Sequence, residues 1–242
     1  YASYLPEIAL SQCPADAVVL GEGEATLKQL AAALSAGGEL AKVSGLCYRR
    51  HGTVFRSAPR APLPSLDALP WPAYDLINFD AYRLPPTRAV TRGRVSSVLT
   101  MRGCPYKCTF RSHHYGYGSR IRKRSPALVV AEMKKLYDEY GVREFQFEDP
   151  SFTCDPAHVK EICRLIAESG MKIAWNCNVR ANTASEELFA AMEAAGCRRA
   201  LLGVESGSQE LLDRMKKGIT LAGVRQTMAL AKKHGMRVNA AF

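Results

Sequence analysis

Residues 102–111 read Arg-Gly-Cys-Pro-Tyr-Lys-Cys-Thr-Phe-Arg. They follow residues 95–101, an apolar stretch of the kind that forms a buried strand. Cys104 and Cys108 are close in sequence, so a single turn of the backbone can present both thiols to one metal centre. A strand that leads into a cysteine-bearing loop begins a pattern that continues through the rest of the chain, and that pattern decides the fold.

After this loop the chain alternates between strand and helix. Strands are predicted at residues 144–148, 172–178, 199–205 and 236–242, and helices are predicted to begin at Ser125-Pro126, at Asp155-Pro156 and at the capping box Thr183-Ala-Ser-Glu186. Strand, helix and strand at this spacing imply right-handed crossovers and a parallel sheet, either open or closed into a barrel. Five such strands favour an α/β fold with a partial TIM-like barrel, truncated after about the fifth strand.

The carboxyl ends of four successive predicted strands carry polar residues. They are Cys104 and Cys108, then Glu148 and Asp149, then Asn178 and Arg180, and finally Glu205 and Ser206. Reactive groups gather at this end of a parallel barrel, and packing alone does not explain polar residues at four strand ends. The sequence therefore predicts one functional site along this edge.

The part of the chain before the barrel is organised differently. Residues 16–20 predict a short strand, residues 25–34 predict a helix, and His51-Gly52 predicts the turn of a hairpin. Five prolines at residues 59–72 mark a linker or an extended strap that crosses the surface. This organisation is typical of the end of an α/β domain, and it places the domain boundary within residues 58–90.

Residues from about 94 to 242 resemble the first part of a radical S-adenosylmethionine (SAM) barrel. Four segments resemble the subfamily with a cobalamin-binding domain ahead of that barrel, which includes anaerobic magnesium-protoporphyrin ester cyclase and cobalamin-dependent methyltransferases. These segments are Gly21-Glu-Gly-Glu24, Gly45-Leu-Cys-Tyr48, Leu69-Pro-Trp-Pro-Ala-Tyr-Asp75 and Gly203-Val-Glu-Ser-Gly-Ser208. The resemblance implies a C-terminal remnant of a Rossmann-like cobalamin-binding domain at residues 1–58, a Pro-rich linker at 59–90 and a radical SAM core at 91–242.

The resemblance also implies an enzyme of the iron–sulfur oxidoreductase or methyltransferase type, which generates a 5'-deoxyadenosyl radical. Its cofactors would be a [4Fe-4S] cluster, SAM and, in the intact protein, cobalamin. It would act on a small-molecule substrate with an electron donor such as flavodoxin or ferredoxin. The implied site residues are Cys104 and Cys108 for the cluster, Phe110 for the adenine, Asp149 with Glu148 for the methionine ammonium, Arg180 for a carboxylate, and Glu205 and Ser206 for the ribose. Simpler roles for single residues are a strand-end turn at Asp149, a surface salt bridge at Arg180 and a helix cap at Ser206.

Arg111 stands where the family has its third cluster cysteine. A protonated guanidinium offers no lone pair, so it cannot bind iron. His113 or His114 could replace the missing ligand, as imidazole does in Rieske centres, but both are out of register with position 111. A zinc site formed by Cys104, Cys108 and these histidines is the alternative for the loop, although its spacing fits structural zinc patterns poorly. The sequence leaves open a cluster-less descendant, an altered sequence or a damaged gene.

Basic residues are concentrated around the same loop. Ten Lys or Arg residues and no Asp or Glu lie in residues 88–124, which equals the whole net charge of +10. An electropositive mouth, a solvated surface and an RNA-binding surface all fit this pattern. The alternative function is therefore a non-catalytic protein that binds SAM or RNA without a cluster.

The remaining composition favours a soluble, cytoplasmic protein. No apolar run reaches the length of a membrane span, and the scattered cysteines are typical of a reducing compartment. Six cysteines lie outside the loop, and most of them are expected to be small buried apolar residues. Two of these six, Cys154 and Cys177, fall near predicted strand ends.

Overall fold

A computed structural model describes residues 2–82, 84–85, 89–110 and 116–242. The chain divides into two compact units. Unit 1 contains Tyr1–Pro64, Gly103–Pro105 and Arg111–Ile121, and unit 2 contains Ser65–Arg102, Tyr106–Phe110 and Arg122–Phe242. Arg111, His113 and His114 lie outside the described residues, so the predictions that concern them stay predictions.

Unit 2 is formed around a five-stranded parallel sheet. Its strands are β4 (Arg94–Val98), β7 (Val142–Phe147), β8 (Ala174–Val179), β9 (Cys197–Gly203) and β10 (Arg237–Ala241), in the order β10-β9-β8-β7-β4. A short antiparallel pair, β5 (Met101–Arg102) and β6 (Arg122–Lys123), flanks the cysteine loop. The predicted α/β fold is confirmed: a parallel sheet alternates with helices, as in a partial TIM-like barrel.

Helices cover one face of this sheet. They are α3 (Pro126–Tyr140), α4 (Pro156–Glu168), α5 (Glu186–Ala194), α6 (Gln209–Arg214) and α7 (Leu221–Lys233), with short 3₁₀ turns at Phe152–Cys154 and Ala181–Thr183. Phe147 packs against Phe152 and Trp175, with ring centroids 4.6 and 5.0 Å away, and all three side chains are buried. Burial of large aromatic side chains is a major stabilising contribution in a core of this kind.

The helix starts follow the sequence with one correction. Asp155 caps α4 by accepting a hydrogen bond from the backbone N–H of His158. At α5 the cap is Ser185, whose hydroxyl accepts from the backbone N–H of Leu188, and not Thr183 as the capping-box pattern predicted. Thr183 instead donates its hydroxyl to the carbonyl of Arg180, because the chain forms a 3₁₀ turn before the helix begins.

Part of the Pro-rich segment is an ordered component of unit 2. Tyr74 and Phe79, each in a short 3₁₀ turn (Tyr74–Leu76 and Phe79–Ala81), are buried against Tyr140 of α3. The hydroxyl of Tyr74 hydrogen-bonds the buried carboxylate of Glu132, which also pairs with Arg124 at 2.5 Å. From Ser65 onward this segment belongs to unit 2.

Unit 1 contains a three-stranded antiparallel sheet. Its elements are α1 (Pro6–Gln12), β1 (Ala17–Val19), α2 (Glu24–Ser35), a 3₁₀ turn (Leu40–Lys42), β2 (Leu46–Arg50) and β3 (Thr53–Arg56), with the strand order β1-β2-β3. The hairpin predicted at His51-Gly52 is confirmed, since both residues have positive φ angles and join β2 to β3. That this unit is the remnant of a cobalamin-binding domain stays a prediction. Among the helices of the described residues, none combines the length and apolarity needed to cross a membrane.

Candidate functional site

The carboxyl ends of the parallel strands of unit 2 bring several predicted site residues to one edge. Glu148 and Asp149 follow β7, Arg180 follows β8, and Glu205 and Ser206 follow β9. Because β7, β8 and β9 are hydrogen-bonded neighbours, the residues after them share one edge of the sheet. The edge predicted from sequence is therefore present.

Asp149 is fully buried, and its carboxylate binds the backbone just before the cysteine loop. Its Oδ1 accepts hydrogen bonds from the backbone N–H groups of Thr100 at 2.8 Å and Met101 at 2.6 Å. Its Oδ2 lies 3.1 Å from the hydroxyl of Thr100. Burial raises the pKa of Asp149 to about 7, although the two N–H donors act in the opposite direction. The predicted contact of Asp149 with an ammonium stays a prediction, while its contact with the loop entry is part of the structure.

Glu148 differs from its neighbour because it is exposed. Its backbone N–H donates to the carbonyl of Val98 at 3.0 Å, which fixes the position of the residue beside β4. The neighbouring amide of Asn178 donates to the backbone carbonyl of Asp149 at 2.9 Å and ties the ends of β7 and β8 together. Of the two carboxylates, Glu148 is thus the solvent-exposed one.

Arg180 is buried, so the surface salt bridge considered as its simpler role is wrong. Its guanidinium carbon lies 3.7 Å from the centroid of the Tyr106 ring, and its Nη1 lies 3.9 Å from the sulfur of Cys108. Its Nε has no hydrogen-bond partner among the described residues. The backbone of Arg180 is held by Thr153, whose hydroxyl accepts from its N–H at 3.2 Å. A planar guanidinium stacked on an aromatic ring beside the loop is placed to hold that loop.

Glu205 forms an ion pair that the sequence analysis missed. Its Oε1 lies 2.7 Å from the Nζ of Lys217, whose side chain is only 2% exposed. Glu205 has a φ angle of +68°, a left-handed conformation that non-glycine residues seldom adopt. A side chain at Gly203 would meet both charged groups at under 3 Å, so this glycine makes room for the pair. The pairing of Lys217 with Glu205 has no signal in the local sequence.

Phe110 and Ser206 lie close to this ion pair, Phe110 beside Lys217 in space and Ser206 as the residue after Glu205. Phe110 is 44% exposed, and the Nζ of Lys217 lies 5.6 Å from its ring centroid. The hydroxyl of Ser206 accepts from the backbone N–H of Ser208 at 3.1 Å. Ser208, not Ser206, caps α6, so the helix-cap role considered for Ser206 is wrong. The predicted adenine and ribose contacts stay predictions.

Cys104 lies in unit 1, immediately after a glycine that the backbone requires. Its thiol is buried, and its N–H donates to the carbonyl of Gly118 at 3.2 Å. Gly103 has a φ angle of +95°, and a Cβ there would lie 2.1 Å from the carbonyl oxygen of Arg120. Real Cβ atoms do not approach backbone oxygen so closely, so only glycine fits this position.

We expect Gly103→Ala to lower the free energy of unfolding by roughly 3 kcal/mol or more, because it adds a clash with backbone to the strain of a positive φ. Gly118→Ala is the matched control, since Gly118 also has a positive φ but has open space around its Cβ position. The control is expected to cost only about 1 kcal/mol. Urea denaturation of both variants measures the difference, and equal losses would contradict the packing at Gly103.

Ion pairs use part of the basic segment. Arg94 pairs with Asp80 at 2.7 Å, and Lys123 pairs with Asp155 at 2.5 Å. Arg124 forms its ion pair with the buried Glu132. At least these three cations therefore serve the fold, which weakens the case for an RNA-binding surface.

The strand-end site lies in a part of the chain that matches a known protein family. The profile of the radical SAM superfamily matches residues 98–242, more than half of the chain. The chain belongs to the radical SAM superfamily. The predicted family is therefore confirmed, and the site described above is the strand-end edge of a radical SAM core.

Relatives of this radical SAM chain are methyltransferases and cyclases. It is 37% identical over 243 residues to the uncharacterized methyltransferase PH0819 of Pyrococcus horikoshii, covering the whole chain and 52% of that protein. It is 30% identical over 270 residues to cytidylyl-2-hydroxyethylphosphonate methyltransferase of Streptomyces wedmorensis, of which it covers 50%. The chain thus spans about half the length of these relatives.

Solved structures agree with the fold. The radical SAM methyltransferase TsrM of Kitasatospora setae superposes with a TM-score of 0.78 at 24% identity, over 99% of this chain and 47% of that one. The cobalamin-dependent radical SAM enzyme OxsB superposes with a TM-score of 0.73 at 20% identity, over 99% of this chain and 35% of that one. At these identities the likeness shows the fold alone.

The metal donors of this radical SAM chain do not make a complete set for a cluster. Neither Cys104 nor Cys108 forms a disulfide with another described cysteine, and the third position of the loop is Arg111, which has no lone pair to offer. Within the described ranges, no group of three His, Cys, Asp or Glu side chains could hold a metal ion. The loop is therefore one thiolate short of the set that a [4Fe-4S] cluster with an open iron requires.

The other cysteines mostly follow the prediction. Cys47, Cys163, Cys177 and Cys197 are buried, as expected of small apolar residues, while Cys13 is exposed. Cys154 is partly buried, and its sulfur lies 3.5 Å from the sulfur of Met101. Neither Cys154 nor Cys177 belongs to a metal-binding group among the described residues.

Proposed function

We propose that this chain is the SAM-binding core of a cobalamin-dependent radical SAM enzyme of the methyltransferase type. The carrying observation is the set of polar residues at neighbouring strand ends: an exposed Glu148, a buried Arg180 and the Glu205–Lys217 ion pair. Its relatives include methyltransferases and magnesium-protoporphyrin IX monomethyl ester cyclases, and structures of TsrM and OxsB contain cobalamin. These relatives support cobalamin and a small-molecule substrate for the intact protein, for which we also propose an electron donor such as flavodoxin or ferredoxin.

The roles proposed for the residues follow from their charge and exposure. Glu148 is an accessible carboxylate and would bind the methionine ammonium, while Asp149 keeps its oxygens on the backbone before the loop. Phe110 offers an exposed aromatic face to the adenine. Arg180 has a free Nε for an acceptor on the ligand.

Glu205 and Ser206 would recognise the ribose. Lys217 holds one oxygen of Glu205, which leaves the second carboxylate oxygen to accept from a hydroxyl. Ser206 lies next to Glu205 and is partly exposed. SAM binding is thus the function that the described residues support best.

The cluster is a separate matter, because Cys104 and Cys108 supply only two thiolates. We propose that this sequence binds SAM and holds iron incompletely, and that a thiol at position 111 would complete the donor set. Arg111 makes a non-catalytic SAM-binding protein the second candidate function for this sequence.

We expect Glu148→Gln to weaken SAM binding about tenfold or more, since a charge-assisted hydrogen bond to an ammonium is lost. Glu168→Gln, at the end of α4, is the matched control and is expected to bind as the unmodified protein does. Equilibrium dialysis with radiolabelled SAM measures both. An unmodified protein that retains no SAM, or a Glu148 variant that binds normally, would contradict the proposed site.

A further inference from the structure

A row of polar side chains crosses the face of the unit 2 sheet opposite the helices. Register pairing joins Ser97 to Gln146, Gln146 to Asn176, Asn176 to Arg199, and Arg199 to Arg237, across all five strands. Side chains alternate between the two faces of a strand. Phe145 and Phe147 belong to the core that includes the helices, so Gln146, between them, faces the other way.

Gln146 and Asn176 are buried without hydrogen bonds for their amide nitrogens. They are 3% and 2% exposed, and neither Gln146 Nε2 nor Asn176 Nδ2 has a partner among the described residues. A buried polar group without a partner costs about 1–3 kcal/mol. Two such amides on adjacent strands therefore lower the stability of the fold, and packing alone does not explain why they are there.

The positive charge of Arg199 at this face favours a negatively charged ligand. Arg199 is in the same row as Asn176, is 4% exposed and donates one hydrogen bond to the carbonyl of Ala89 at 2.9 Å. The carboxylate of Glu144, two positions before Gln146, is occupied by three hydrogen bonds from Val90 and Thr91. Two amide donors beside a guanidinium match the two oxygens of a carboxylate.

We infer that Gln146 and Asn176 bind a carboxylate group of the substrate, on the barrel-side face next to the SAM edge. The inference rests on the proposed function, because it names the substrate class for the same site. Gln146 lies two residues before Glu148, and Asn176 lies four before Arg180, so this face is continuous with the strand ends. The amides thus select for substrates that carry a carboxylate.

Gln146→Leu combined with Asn176→Leu separates this role from a structural one. Leucine has the same branched arrangement of four side-chain heavy atoms as asparagine and one heavy atom fewer than glutamine, and it removes the orphaned donors, so the double variant should be as stable as the unmodified protein or more stable. If the amides served the fold through internal water, the same change would lower the unfolding temperature. Gln226→Leu, on the exposed side of α7, is the matched control.

The binding measurement uses 3-phenylpropionate and its uncharged analogue 3-phenylpropanol with the purified protein, by isothermal titration. We expect the carboxylate to bind the unmodified protein and the Gln226 variant at least about tenfold more tightly than the alcohol. The double leucine variant should lose this preference without losing thermal stability. Equal binding of both probes to the unmodified protein, or a destabilised double variant, would overturn the inference.

SAM dialysis on the same samples keeps the two proposals distinguishable. A carboxylate preference in a protein that binds no SAM would support this inference and contradict the proposed function. SAM binding without a carboxylate preference would support the proposed function and contradict this inference.

Discussion

Asp149→Ala is expected to lower the free energy of unfolding by about 3–5 kcal/mol, because it leaves two buried backbone N–H groups without acceptors. These groups belong to Thr100 and Met101, which lie just before the cysteine loop. Asp149→Asn keeps an oxygen for both N–H groups and presents an amide to the hydroxyl of Thr100. The asparagine variant is therefore expected to lie within about 1 kcal/mol of the unmodified protein at neutral pH. Urea denaturation followed by circular dichroism measures both changes.

The same residue predicts how stability depends on pH. Burial raises the pKa of Asp149 from the ordinary 3.8 to about 7 in the folded protein. A carboxyl group with a raised pKa binds its proton more tightly when folded, so its contribution to stability is fully present below about pH 4. That contribution is lost as the pH rises through about 7. We expect the difference in unfolding free energy between the aspartate and asparagine proteins to change over this window, and a constant difference would contradict the assignment.

Much of the fold could be predicted from local sequence. The Pro-containing starts of α3 and α4 and the alternation of strands with helices all depend on residues close together in the chain. These signals are set by backbone geometry and short-range hydrogen bonds, so they survive in a single sequence. The parallel sheet followed from them because strand–helix–strand connections have one preferred hand.

The partners of the site residues could not be predicted in the same way. Glu205 pairs with Lys217 twelve positions later, and Asp149 bonds backbone N–H groups nearly fifty positions earlier. The sequence placed Arg180 at a strand end, but it gave no sign that the fold buries its guanidinium over the ring of Tyr106. Each of these contacts depends on which strands become neighbours. Residue type alone does not predict which strands these are.

The largest functional change is expected from Arg111→Cys. The substitution removes a cation that cannot bind iron and supplies the third thiolate beside Cys104 and Cys108. Three thiolates hold a [4Fe-4S] cluster and leave one iron for a further ligand, whereas two leave the cluster incompletely held. We expect the variant to gain about four irons per chain after anaerobic reconstitution with iron and sulfide.

Arg111→Ser is the matched control for this gain. Serine removes the same positive charge and restores a small side chain, but its hydroxyl is a poor ligand for iron in such clusters. If the serine variant gained as much iron as the cysteine variant, the removed charge rather than the added thiolate would explain the result.

The most direct test of the central claim is to measure iron and acid-labile sulfide per chain in Arg111→Cys. Electron paramagnetic resonance after dithionite reduction completes the test. We expect about four of each and a reduced-cluster signal in the cysteine variant, with little in the arginine and serine proteins. A cysteine variant that holds no more iron than the arginine protein and gives no signal would contradict it.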